Sequence, residues 1–165
     1  MSGTPSAGIL AGMHRTGSFA AALALLLASA AGAGTASVPS DPRSRVEHHL
    51  VEVQVLARHF GTVLATDCPR FASEAEWKSY FDGEVHRVVL LIAHLEQAWV
   101  EAKQTPDKDV RRTAKAPRRE VDRGRALLDK LQQCASDHGS SFAPLVVWQR
   151  IEREVPRRQA QIALP

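Results

Sequence analysis

Beyond Met13 the chain contains no methionine, and Cys68 and Cys134 are its only cysteines. The first absence excludes haem sites with a methionine axial ligand, and thioether copper sites, from everything after that residue. Two cysteines 66 positions apart make no Cys-x-x-Cys, no covalent haem motif and no cysteine-rich zinc pattern. Also missing are a Gly-x-Ser-x-Gly elbow, a phosphate-binding loop, and a His-Glu-x-x-His pair. Nothing in the sequence therefore supports catalysis, and a non-enzyme without a cofactor is the expectation. Sustained strand alternation, internal repeats and low-complexity tracts are absent too.

Strong charge of either sign is a further lack. The chain has 21 basic and 18 acidic residues, which is not the balance of a nucleic-acid binder. There is one long apolar run, "SFAAALALLLASAA", preceded by His14 and Arg15 and followed by small residues that offer cleavage after Ala33 or Ala36. That layout reads as a secretory signal peptide over residues 1–36, and the run is too short to span a membrane. No cysteine near the cleavage site would carry a lipid, and no twin arginine precedes the run. Residues 37–165 are then expected to form a single domain of an exported protein. The alanine- and arginine-rich composition suggests a bacterial periplasmic or secreted one, with no transmembrane segment in the mature chain.

What the mature part does have is helical spacing. Asp41 is placed to cap a first helix with Pro42 at its first position, and Val46, Leu50, Val53, Ala57, Phe60 and Leu64 follow in steps of three and four. Ser73 and Glu76 form a capping box for a second helix, whose seam runs Trp77, Phe81, Val85, Val88, Ile92, Leu95, Trp99 and Ala102. Thr105 and Pro106 are expected to cap and start a third. That helix should break at Ala116–Pro117, since an interior proline removes a hydrogen bond and clashes with the preceding turn. A shorter fourth helix is expected from "LVVWQRIEREV", with Leu145, Trp148, Ile151 and Val155 inward. Pro156 should end or bend it, leaving a loose tail from residue 157. All three tryptophans lie on seams and read as core.

Short connections favour antiparallel neighbours, so the fold expected is a small all-α antiparallel bundle of three long helices, the third kinked, and one short helix. This topology brings the ends of the first and third helices together, and with them Cys68 and Cys134. In an exported chain such a pair is expected as a disulfide. The competing role for Cys134, a nucleophile with His138 as base, has only their four-residue spacing behind it.

Two sets of residues are candidates for binding. "EHHLVE" places His48, His49 and Glu52 within one turn of helix, the densest group of metal-ligand types, with a fourth ligand to come from another helix. His86 and His94 read as boundary residues with hydrogen-bonded rings. A run of basic residues around the proline break includes Arg111, Arg112, Lys115, Arg118 and Arg119. Interleaved acids suit a solvated helix face, and the excess of cations suits an anionic partner. The function expected is that of an exported, non-catalytic bundle that binds a partner protein or an anionic envelope component. The alternative is a periplasmic bundle that binds a metal or a small ligand.

Overall fold

The computed structural model describes residues 39–164, and the expected signal peptide lies outside them. Five α-helices follow in order: α1 (Pro42–Ala65), α2 (Glu74–Lys103), α3 (Lys108–Lys115), α4 (Glu120–Asp137) and α5 (Pro144–Ile162). A single 3-10 turn, Ala116–Arg119, joins α3 to α4. This is the bundle expected from spacing, with the third long helix broken at Ala116. No strand occurs among the described residues.

Specific contacts fix the directions. His49 meets His94 and, ten residues further along α1 and ten residues earlier on α2, His59 meets Glu84, so α1 and α2 are antiparallel. Arg123 of α4 reaches the Ala57 carbonyl of α1 at 3.5 Å, and Cys134 at the end of α4 is bonded to Cys68 just past α1. Those two helices run parallel. On the other side Arg150 and Gln159 of α5 lie against Asp82 and Gln97 of α2, again parallel. The up-down-up-down order brings the thiols together, and their Cα atoms are 5.4 Å apart. A second tie holds the same corner: His138 donates from Nε2 to the Pro69 carbonyl at 3.1 Å, and its ring stacks on Trp77.

The helix starts follow the local chemistry with one exception. The Asp41 carboxylate accepts from the Ser44 amide, and Pro42 occupies the first turn of α1. Ser73 Oγ accepts from the Glu76 amide, while the Glu76 carboxylate accepts from the Ala72 amide, a capping box displaced by one residue on its return bond. Thr105 does not cap α3. Asp107 does, accepting from the Asp109 and Val110 amides, because a carboxylate answers the positive end of a helix better than a hydroxyl. Thr105 Oγ1 instead accepts from the Asp107 amide and shapes the turn. Pro106 precedes the helix.

At the other end of the chain α5 continues past Pro156 to Ile162, so neither the stop nor the loose tail occurs. Val155 is buried beside the proline, and beyond it Gln159 donates to Gln97 on α2. Tertiary contacts on both sides of Pro156 hold the helix across its missing hydrogen bond. Leu145 is another correction. It is 68 % exposed, and Val147 takes the inward position.

Two apolar clusters make up the interior. The larger joins Val53 and Phe60 of α1, Trp77 to Leu95 of α2, Leu127 to Cys134 of α4, and Val147 to Val155 of α5. The smaller, at the opposite end from the disulfide, contains only Val46, Ala98, Ala102, Val110 and Ala114, with Leu50 and Trp99 against it. Buried polar side chains lie along α1 and α2 in between: His49, His94, Gln97 and Glu101. Gln97 donates to Glu101 at 2.8 Å and accepts from Gln159, and Arg45 approaches Glu101 at 3.8 Å. Buried polar groups of this kind hold only when their partners are present.

Candidate functional site

The end of the bundle at the smaller cluster is basic, and Trp99 is its centre. Small residues explain why. Ala98, Ala102 and Ala114 let α3 approach α2 closely but cannot cover an indole, which stays half-buried instead of entering the core as expected. Cationic side chains cover it. Lys115 Nζ sits 4.7 Å from the ring centroid, Lys103 Nζ 5.2 Å and the Arg118 guanidinium 5.8 Å. These cations come from α2, α3 and the 3-10 turn, so the break at Pro117 turns Arg118 back over the ring.

Beside the indole is an open cleft of about 480 Å³ lined by Trp99, Lys108, Arg111, Arg112 and Lys115. Arg111 is oriented by donating to the Pro106 carbonyl, and Arg112 pairs with Asp109 at 2.9 Å. Arg118 has Glu96 at 3.6 Å. Lys103, Lys108, Arg111 and Lys115 take part in no ion pair among the described residues. Cations gathered on one ring repel one another, and each retains only a modest attraction to the indole. An anion entering the cleft relieves that repulsion. This is chemistry for holding negative charge, with no acid, base or nucleophile converging on it.

Of the five basic residues expected at such a site, Arg111, Arg112, Lys115 and Arg118 are brought together. Arg119 is not. It lies 3.8 Å from Glu120 and lines a separate cleft against α1 with Leu50, Gln54 and Pro117. Sequence reasoning missed Lys103 and read Trp99 as core, and Lys108, the first residue of the basic run, joins the four. The spacing of Trp99 and Lys103, four residues apart near the end of α2, was the available signal for a cation over a ring.

The histidine group resolves differently. His49 is fully buried, and its Nδ1 lies 3.0 Å from Nδ1 of His94 on α2. One ring must donate and the other accept. His49 Nε2 is buried with no hydrogen-bond partner, so the less costly tautomer puts the His49 proton on Nδ1, facing His94, and leaves a bare lone pair inside. Burial first, then the neighbouring His94 and His48, holds the His49 pKa down to about 4. Burial also lowers that of His94, against an opposing pull from Glu52. His48 is exposed, its ring 5.2 Å from that of His49, and Glu52 is half-exposed. No group of three or more histidine, cysteine, aspartate or glutamate side chains is arranged to hold a metal ion among the described residues.

A second buried cluster joins the same two helices. Glu84 is almost wholly buried and accepts from His59 Nε2 at 2.8 Å and from Arg87 at 2.9 Å. A carboxylate only accepts, so the proton of His59 is on Nε2. His86 is exposed at the edge of α5, where Arg158 approaches its ring at 3.5 Å.

The fold and this basic, tryptophan-centred end define a disulfide-tied helical bundle with a cationic face. No family model, curated protein or solved structure matches the chain. No helix of the described residues is long and apolar enough to cross a membrane.

Proposed function

We propose that this is an exported, non-catalytic bundle that binds an anionic partner through the face around Trp99. The observation that supports it most is the set of cations Lys103, Lys108, Arg111 and Lys115, held around one indole without carboxylates to answer them. The disulfide fits an oxidising compartment, as the leader-like start of the sequence does. The partner is an acidic protein surface or an anionic component of the cell envelope.

Titration with a soluble sulfated polysaccharide at low ionic strength tests the face directly. The native chain should bind, and the variant Lys108→Glu/Arg111→Glu/Lys115→Glu should lose at least about tenfold in affinity. Equal affinity in the two proteins refutes the assignment. Mass spectrometry of the N-terminus of protein recovered from its native host tests export, with mature chains starting at Gly34 or Ser37 expected.

A second reading, a metal or small ligand held between helices, has one observation in its favour. The Nδ1 atoms of His49 and His94 converge from two helices, with the His49 Nε2 lone pair free. Stoichiometric metal or a chromophore in natively purified protein would replace the first reading with this one.

A further inference from the structure

The cationic face has the form of a membrane-interface anchor, and this inference rests on the anion-binding reading of that face. The cleft is open, and its cations come from three elements spread across one end of the bundle. In α3 the apolar Val110 and Ala114 point inward, while Lys108, Arg112 and Lys115 are exposed. Beside this helix is the half-buried Trp99, and Val100, the next residue of α2, is 40 % exposed. Indole rings favour the headgroup level of a bilayer, where the ring is apolar and its N–H is wet. Lysine and arginine stems cover the ring while their charged ends reach outward to phosphate. A single soluble anion would use one or two of these cations, whereas a sheet of phosphates answers all of them at once.

We propose that this end of the bundle docks on an anionic phospholipid surface. Lys103, Lys108, Arg111, Lys115 and Arg118 pair with headgroup phosphates, and Trp99 settles at the interface as its cations turn from the ring to the lipid. The bundle lies on the membrane without entering the hydrocarbon. The disulfide and the larger apolar cluster stay away from the lipid.

Co-sedimentation with vesicles of phosphatidylglycerol and phosphatidylcholine tests the proposal, with pure phosphatidylcholine as the neutral surface. Binding is expected only to the anionic vesicles, and it should fall steeply as salt is raised. Each cation near such a surface strengthens binding about fivefold, so Lys108→Gln/Arg111→Gln/Lys115→Gln should weaken it about a hundredfold. Circular dichroism checks that this variant is folded; if it is not, Lys103→Gln alone should still show the roughly fivefold loss. Arg119→Gln, on the other cleft, should bind as the native chain does. In a Trp148→Phe background only Trp99 and the buried Trp77 emit, and the summed emission should shift to the blue with anionic vesicles as Trp99 settles at the interface.

Equal binding to neutral vesicles, or full binding by the triple variant, overturns the proposal. So does failure of the native chain to bind anionic vesicles. In that last case retention on the sulfated polysaccharide, lost in the triple variant, leaves the anion-binding reading standing. Failure on both surfaces removes both.

Discussion

Acid should unfold this bundle through His49 and His94. Both rings are neutral in the fold, since burial disfavours a charge on either, and a proton on one opposes a second on its neighbour 3.0 Å away. Unfolded, each ring takes up a proton near the ordinary value of 6.5. In the fold His49 resists protonation until about pH 4. Between those values the unfolded chain binds more protons, so stability is fully present above pH 6.5 and is lost as pH falls toward 4. At 1.36 kcal/mol for each tenfold in proton activity, His49 alone is worth about 3 kcal/mol over that window. His94 adds to this, offset in part by Glu52. The measurement is urea unfolding at a series of pH values, with the native chain compared with His49→Leu/His94→Leu. The native chain should lose about 3 kcal/mol or more between pH 7 and pH 4, and the double variant should lose much less. A flat native profile, or an equal slope in the double variant, refutes the reasoning.

Four further outcomes follow from the same structure. Reduction of Cys68–Cys134, or Cys68→Ser/Cys134→Ser, should cost about 4 kcal/mol in urea unfolding, the loop-closure entropy for a sequence separation of 66. Gly124→Ala should destabilise by about 1 kcal/mol net, because the added methyl meets Val88 Cγ1 at 3.0 Å in a buried contact. Gly61→Ala, which meets nothing within 4 Å on an exposed face of α1, should stabilise by up to about 1 kcal/mol in the same assay. Ser73→Ala removes the acceptor for the Glu76 amide and should cost about 1 kcal/mol, read as a lower midpoint of thermal unfolding.

Much of the fold is legible in spacing and caps. The α1 seam placed Val46, Val53, Ala57 and Phe60 correctly in the interior, and Pro117 marked the break between α3 and α4. Legibility fails on α2. Its seam named one face, yet Glu84, Leu91, Ala93, His94, Ala98 and Glu101 are buried as well. One helix touches α1, α3, α4 and α5, and burial on several sides erases the contrast that periodicity measures. The reading of α5 failed for a related reason. Local rules stop a helix at Pro156, but contacts of Val155 and Gln159 with the rest of the bundle outweigh one lost hydrogen bond.

Sequence by itself determined the helices, the break at Ala116, and the pairing of Cys68 with Cys134. Each depends on neighbours along the chain or on a connection too short to allow another order. Tertiary structure alone decided what His49 and Trp99 are. His49 belongs to a run that reads as a ligand cluster, but its ring turns inward to meet His94 from another helix, while His48 turns out to solvent. Trp99 belongs to an apolar seam, but the small residues around it, Ala98 and Ala102 on its own helix and Ala114 on α3, leave the indole to Lys103, Lys115 and Arg118. Periodicity states which side of a helix a residue is on. It does not state how large the residues opposite are, and here that size turned a core tryptophan into the centre of a cationic face.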